Sequence, residues 1–342
     1  MVSLVSGSVP KWRIRTLLAA LVFTLVAVST FFWAITQMPL RSYKESLPPL
    51  TAEESELHDH LAADVSDLSV TIGDRSFLRP RSLRAAADYL SGRLREQGYT
   101  VTLSPYSADG LPVNNLEATQ PGTDAALGQV IVAAHYDSVA GTVGANDNGS
   151  GVAGVLEIAR LLRQTKFRRT IRFVFFVNEE PPYFQTEKMG SRVYAHQLRH
   201  DRVPVSAMIS LETIGFYSDR VNTQKYPPIL NLFYPNKGNF IAFVGNTASG
   251  KLVRDAILRF RESTEFPSEG IAAPGNWQGI GWSDQWSFWE EGYPGIMVTD
   301  TAPFRYPHYH TPDDTIDKID FDRMARVVGG MSKVVETLAN KP

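Results

Sequence analysis

The sequence predicts an α/β fold: a three-layer sandwich with a mostly parallel (mixed) central sheet and helices on both faces, preceded by one transmembrane helix. Short apolar runs typical of strands alternate along the chain with amphipathic segments at helical spacing, as in βαβ units. Residues 171–177 are apolar except for Arg172, which is typical of a central strand. The 342 residues suffice for a large α/β domain with a full core.

The N-terminal segment is predicted to be a membrane anchor. Residues 1–16 carry three basic side chains and are expected to stay cytoplasmic, because positive flanks remain inside. Residues 17–37 contain no charged side chain and are long enough to span a bilayer. The run ends in aromatic residues without a small-residue cleavage site, which favours an uncleaved signal anchor over a cleaved signal peptide. Both alternatives put the rest of the chain on the periplasmic or lumenal side.

Residues 38–56, with Pro48-Pro49 followed by acidic residues, are interpreted as a linker, and residues 57–342 as the folded domain. Two segments of this domain, 217–239 and 265–283, show little periodicity and are expected to be irregular. Apolar periodicity predicts the following elements: helices at 83–94, 152–163, 248–262 and 320–338, and strands at 99–104, 113–118, 129–134, 171–177, 205–211, 241–244 and 294–299.

Composition narrows the chemistry. The chain has no cysteine, which excludes disulfides and thiolate ligands, so any metal must be held by His, Asp and Glu. The net charge of -2 gives no sign of a basic nucleic-acid footprint.

Side chains that bind metals follow several predicted strands. Imidazole and carboxylate groups are zinc ligands, and an open α/β sheet binds its ligands outside the carboxyl ends of its strands. Each residue alone has an ordinary interpretation, such as a helix N-cap for Asp147 or a solvated loop acid for Glu179. Together they predict a metal centre built from His135-x-Asp137, Asp147 before Gly149-Ser-Gly151, Glu179-Glu180, Glu212 and His310.

The chemistry of these residue types suggests a division of labour. Asp137 is placed to hold the ring nitrogen of His135 that does not face the metal. One of the adjacent acids Glu179 and Glu180 is suited to binding metal, while the other takes a proton from water. His308 and His310 compete for one ligand position. The remaining histidines, His58, His60, His196 and His200, are interpreted as solvated or exposed.

A dinucleotide site is the rival interpretation from another enzyme class. Gly149-Ser-Gly151-Val-Ala-Gly154 is a formal G-x-G-x-x-G that opens a helix. About fifteen residues separate it from the preceding strand, whereas the fingerprint requires a tight turn. The interpretation also leaves His135, Glu212 and His310 without a role.

The order of the motifs, from His-x-Asp to His-Thr-x-x-Asp-Thr, resembles the co-catalytic di-zinc exopeptidases typified by bacterial leucyl aminopeptidase. The resemblance covers roughly residues 57–338. It implies a zinc aminopeptidase-like domain that acts on peptides with two zinc ions bridged by Asp147. It further implies that Glu180 and His310 bind one ion, that His135 and Glu212 bind the other, that Glu179 is the general base, and that Asp137 orients His135.

The chain departs from this family in two places. The ligand at Glu212 is often Asp in the family, and the spacer 181–189 is longer than usual. The same fold hosts glutaminyl cyclases, which hold one zinc without the His-x-Asp histidine, and non-catalytic relatives that have lost ligands. An aminopeptidase is therefore expected, with a carboxypeptidase or dipeptidase, a cyclase, or a zinc-containing binding protein as alternatives.

Overall fold

The computed structural model describes residues 11–341, so the first ten residues of the predicted cytoplasmic segment lie outside it. The chain divides into two units between Gln37 and Met38. The first contains helix α1 (Lys11–Thr36), whose 26 residues include an 18-residue window of mean hydropathy 2.3. Its side chains are almost all exposed. By length and composition this helix is compatible with a signal anchor or a membrane span.

An eight-stranded mixed sheet forms the centre of the second unit among the described residues, in the order β1-β2-β4-β3-β5-β8-β6-β7. Strands β4, β3, β5 and β8 run parallel to one another, as do β6 and β7. The β1–β2, β2–β4 and β8–β6 pairs are antiparallel. The strands are β1 (Val101–Ala108), β2 (Leu111–Gln120), β3 (Gln129–His135), β4 (Ile171–Phe176), β5 (Val205–Glu212), β6 (Ile241–Asn246), β7 (Ser268–Ala273) and β8 (Gly295–Thr299).

Helices cover both faces of this sheet. Along β3, Val130, Val132 and Ala134 pack into one core, whereas Ile131 and Ala133 pack into another on the opposite face. Helices α2, α3, α4, α6 and α9 belong to the first core, and α5 and α7 to the second. The predicted three-layer sandwich is thus confirmed. The helices are α2 (Ala52–Ser66), α3 (Pro80–Glu96), α4 (Gly151–Leu162), α5 (Gly190–His200), α6 (Gly250–Ser263), α7 (Gln285–Glu290), α8 (Ala302–Arg305) and α9 (Phe321–Asn340).

The predicted linker is wrong at its C-terminal end. Helix α2 begins at Ala52, inside the segment 38–56, with Thr51 and Glu54 forming a reciprocal capping box. Its buried face carries Leu57, Leu61 and Val65 at four-residue spacing. Both signals are present in the sequence, but the apolar stripe is narrow and lies among acidic residues.

His60, predicted to be solvated, has a side chain that is 39% exposed but that also contacts a buried acid. Its Nδ1 lies 3.1 Å from the Glu157 carboxylate, which is wholly buried on α4. His58 is partly exposed and lies 2.9 Å from Asp322 of α9. These two histidines therefore join α2 to the helices beneath it.

The segment 265–283 is not irregular throughout, because residues 268–273 form β7 at the edge of the sheet. Gly270 lies against Ile257 of α6 and Met38, and a Cβ there would approach the Met38 side chain to 2.9 Å. Glycine permits this close packing but removes the side chain by which a strand is recognised in a sequence. The other irregular segment, 217–239, has only a short 3₁₀ turn at Leu230–Leu232.

Candidate metal centre

His135 ends β3 and is fixed by the aspartate two residues later, whose backbone oxygen lies 3.2 Å from the His135 Nδ1 atom. Its Nδ1 lies 3.5 Å from the Asp137 Oδ1 atom. Asp137 also accepts hydrogen bonds from the backbone N–H groups of Glu179 at 3.2 Å and Glu180 at 3.1 Å. One carboxylate therefore connects the ends of β3 and β4 and leaves the His135 Nε2 atom facing the interior of the site.

Asp147 lies in a loop that two buried carboxylates hold in place. Asp314 accepts hydrogen bonds from the backbone N–H groups of Asn146 and Asp147 at 2.9 and 3.0 Å. Asp300 accepts one from the Asn146 side chain at 2.9 Å. The loop enters α4 directly, and Asp147 is buried with its carboxylate beside both His135 and His310.

The three remaining predicted ligands converge on this aspartate. The His310 Nε2 atom lies 3.0 Å from Asp147 Oδ2 and 3.3 Å from Glu180 Oε2. The His135 Nε2 atom lies 3.5 Å from Asp147 Oδ1 and 3.2 Å from Glu212 Oε2. Glu212 is itself oriented by the Ser283 hydroxyl, which donates to Oε2 at 2.7 Å. Asp147 is thus the member common to both groups.

These contacts define overlapping groups of donor atoms that can hold a metal. His135, Asp147 and Glu212 form one, and Asp147, Glu180 and His310 form another, each with donor atoms within 4.8 Å of one another. Glu179 joins His135 and Glu180 in a third such group. The buried His135 Nε2 and Glu180 Oε1 atoms have no hydrogen-bond partner. Buried polar atoms normally have a hydrogen-bond partner, so an imidazole nitrogen and a carboxylate oxygen without one are suited to be zinc ligands.

The electrostatics of the site also favour a cation. Burial, together with Glu212 and Glu180, raises the pKa of Glu179 well above its usual 4.5 despite the nearby His135. Burial and Asp147 likewise raise the pKa of Glu180. Burial lowers the pKa of His135, but Glu212 and Glu179 outweigh it and raise the pKa above 6.5. Such a group of buried acids carries more negative charge than its two histidines offset, and a divalent ion relieves that repulsion.

The other histidines lie outside this centre. His308 packs its ring against Tyr306 at 5.4 Å, and His310, rather than His308, reaches Asp147. The side chains of His196 and His200 are 70% and 76% exposed.

Sequence reasoning missed two side chains at the centre. Tyr309 is stacked on His310 with ring centroids 3.8 Å apart. Burial and the charges of Asp147 and Glu180 raise the pKa of its phenol well above 10. Asp284 is fully buried in the segment after Trp282, and burial raises its pKa to about 7. In the sequence, only its position next to His310 indicates that Tyr309 belongs to the centre. For Asp284 the sequence gives no indication beyond its position in the segment after Trp282.

Two cavities adjoin the centre. A cleft of about 580 Å³ is lined by Glu179, Glu180, Pro181, Phe184, Glu212, Trp282, Tyr309 and His310. A second, of about 770 Å³ and open to solvent, shares Glu212, Trp282 and Tyr309 and continues over the sheet beneath the segment 217–239. Its lining is mainly apolar, and the described residues that line either cavity include no lysine or arginine.

Comparison with known proteins identifies the family. Residues 115–335 match the model of peptidase family M28. The chain belongs to peptidase family M28. It is 36% identical over 282 residues to the protein YfbL of Escherichia coli (strain K12), and the aligned region covers 80% of this chain and 86% of that protein. Membership of this family, with its zinc aminopeptidase relatives, makes the chain a zinc-dependent hydrolase of the metallo-exopeptidase type.

Solved structures share the fold of this M28 chain. BSAP, a zinc aminopeptidase from Bacillus subtilis, superimposes with a TM-score of 0.65 at 16% identity, covering 87% of this chain and 97% of that one. The glutaminyl cyclase of Porphyromonas gingivalis superimposes with a TM-score of 0.62 at 22% identity, covering 82% and 98%. At these identities the likeness concerns the fold alone.

Proposed function

We propose that this M28 chain is a membrane-anchored aminopeptidase that uses two zinc ions to release N-terminal residues from peptides outside the cytoplasm. The observation that carries the proposal is the pair of donor groups sharing Asp147, with Glu179 beside them. Structural zinc sites are usually closed by four protein ligands, whereas each of these groups offers three and leaves room for water or substrate.

In this proposal Glu180 and His310 would hold one zinc and His135 and Glu212 the other, with Asp147 belonging to both groups of donor atoms. Bound zinc supplies a Lewis acid that lowers the pKa of water and polarises the scissile carbonyl. Asp137 holds no metal in this proposal and instead fixes the His135 ring so that Nε2 points inward.

Glu179 is the proposed general base. Its carboxylate lies 3.8 Å from the His135 Nε2 atom and lines the cleft. Its raised pKa suits a group that must take a proton from the attacking water and then give it to the leaving amine. The proton thus passes from water to Glu179 and from Glu179 to the nitrogen of the broken peptide bond.

Tyr309 is the proposed hydrogen-bond donor to the oxygen that gains charge as the carbonyl is attacked. It lines both cavities beside the ligands, and its high pKa keeps the phenol protonated and able to donate. A donor placed where negative charge develops stabilises the transition state more than the ground state.

The lining of the cavities supports recognition of the amine end of a peptide. A carboxypeptidase must bind the terminal carboxylate, for which arginine or lysine is the usual partner. The described lining of the two cavities has neither, which favours the amine end over the carboxylate end of a peptide.

The proposal is tested with the full-length chain in detergent, supplied with zinc, on a set of short peptides. We expect removal of N-terminal residues from free peptides, little action on the same peptides acetylated at the N-terminus, and loss of activity with a chelator. Mass spectrometry of the products distinguishes the alternatives. Release of C-terminal residues alone indicates a carboxypeptidase, and loss of ammonia from N-terminal glutamine indicates a cyclase. Absence of any reaction with metal bound indicates a binding protein.

A further inference from the structure

We propose that the cavity beside the metal centre binds the side chain of an N-terminal lysine or arginine, with Glu269 as the residue that sets this specificity. The inference rests on the proposed aminopeptidase function and names its substrate class. It is carried by the place of Glu269 on the sheet, by the lining between it and the centre, and by its charge.

Strand pairing puts Glu269 on the same face of the sheet as the metal centre. Glu212 of β5 pairs with Thr299 of β8, which pairs with Ala242 of β6, which pairs with Glu269 of β7. Paired residues in a sheet point to the same side, so these four form one row. All four line the 770 Å³ cavity, whose floor is therefore this row and the next one.

The row has a carboxylate at each end and small or neutral side chains between. Three strand spacings of about 4.8 Å separate the Cα atoms of Glu212 and Glu269 by roughly 14 Å. A substrate whose scissile carbonyl lies at the Glu212 end can thus extend a long side chain over Thr299 and Ala242. Both glutamate side chains extend into this distance. The gap left between their carboxylates suits the length of a lysine or arginine side chain better than that of a shorter residue.

The walls of the cavity suit the aliphatic stem of such a side chain. Val244, Ile271 and Met297 form the second row of the floor, and Ile280 and Phe304 stand above it. Near Glu269, the rings of Tyr226 and Tyr234 stack with centroids 5.7 Å apart. Aromatic faces attract lysine and arginine cations, so these rings add to the effect of the carboxylate.

Glu269 is only partly compensated by its neighbours, which are Arg261, the Ser42 hydroxyl and Lys44. Its closest cation is Arg261, whose Nη2 atom lies 3.9 Å from Oε2. The same guanidinium is already occupied by the backbone oxygens of Pro39, Leu40 and Ser268. The Glu269 side chain is 23% exposed, and Glu269 lines the cavity together with the two tyrosines.

An uncharged side chain in the cavity has a cost that a cationic one avoids. Leucine or norleucine would remove water from the exposed part of the Glu269 carboxylate without replacing the lost hydrogen bonds, which is unfavourable. Lysine or arginine replaces the lost water with a charge-assisted hydrogen bond. The cavity therefore discriminates by charge at its far end as well as by apolar contact along its length.

The test compares kcat/KM of the full-length, zinc-loaded chain on amides of lysine, arginine, norleucine and leucine. Wild type is expected to prefer lysine or arginine to norleucine, which has a similar stem without the charge. In Glu269→Gln, the lysine-to-norleucine ratio should fall at least ~10-fold, the usual effect of losing one hydrogen bond to a charged group. Glu269→Asp keeps the charge and should retain the preference, whatever the stability of the Gln variant.

Glu262→Gln, on the exposed side of α6, is the matched control for the loss of one negative charge and should leave the ratio unchanged. If wild type hydrolyses norleucine and leucine amides as well as lysine, and Glu269→Gln leaves the ratio unaltered, the inference is wrong while the aminopeptidase function stands. If wild type cleaves none of the four amides with zinc bound, the proposed function itself fails.

Discussion

At the scale of single residues, the centre depends on a division of work between side chains that are adjacent in the sequence. Glu179 and Glu180 leave the end of β4 together, and Asp137 accepts a hydrogen bond from the backbone of each. Their carboxylates then diverge, one to 3.8 Å from His135 and the other to 3.3 Å from His310. Neighbouring glutamates can therefore serve as base and ligand without exchanging roles.

The Glu179→Gln and Glu180→Ala variants test that separation. Glu179→Gln keeps the shape but removes the basic carboxylate, so kcat should fall at least ~10²-fold while both zinc ions remain. Glu180→Ala removes a ligand and should lose metal along with activity. Metal analysis and kinetics on both variants provide the measurement. Loss of metal from Glu179→Gln alone would reverse the assignment, and full activity in both would make them ordinary loop acids.

Tyr309→Phe isolates the proposed donor to the transition state. The substitution removes one hydroxyl and leaves the ring stacked on His310, so metal content and KM should change little. We expect kcat to fall ~10²-fold, in the range found when a donor to a developing oxyanion is removed. Tyr293→Phe, which lies outside both cavities, is the matched control. A fall in kcat no larger than in this control would leave Tyr309 with a packing role only.

At the scale of elements, the sequence predicts the apolar central strands and the proposed metal ligands near their C-terminal ends. It does not predict elements that are recognisable only by their contacts in the folded chain. Strands β3, β4 and β5 end close to the predicted boundaries because buried parallel strands are continuously apolar. Strand β7 was missed because its glycine and alanines carry no such signal. Helix α2 was missed although its capping box was legible, because its apolar stripe is narrow.

Arg75 is an element-scale feature that no sequence pattern indicates. It is wholly buried and donates hydrogen bonds to the backbone oxygens of Tyr136, Val143 and Gly144, and to those of Leu68 and Gly73. Burial lowers its pKa to about 10, so it remains charged at neutral pH. A single guanidinium thus fixes the loop that runs from His135 to Asp147.

Arg75→Met should lower both stability and zinc affinity. Five backbone oxygens lose their donor, and leaving even a few buried and unsatisfied costs about 3 kcal/mol or more. The melting temperature should fall by several degrees, measured by scanning calorimetry with and without zinc. Arg81→Met, exposed on α3, is the control and should melt like wild type. An unchanged melting curve for Arg75→Met would show that the loop is held by other contacts.

At the scale of the whole molecule, the proposed topology puts the catalytic domain outside the cytoplasm. Helix α1 is charge-free from residue 17 onward, and its basic residues all lie in its N-terminal part, before residue 17. Protease added to intact cells should digest the domain and spare a tag at the N-terminus. Protection of the domain until the cells are lysed would contradict this orientation. A mature N-terminus near residue 40 would instead indicate a cleaved signal peptide.

The His310 side chain differs from the other proposed ligands in being 32% exposed, on a loop, with φ of 57°. The ligands around His135 are nearly inaccessible, because each comes from a buried strand end or the buried loop before α4. The two metal positions should therefore exchange with the medium at different rates. If two zinc ions bind as proposed, we expect the ion at His310 to load last and escape first, which would leave a folded, half-loaded enzyme when zinc is scarce.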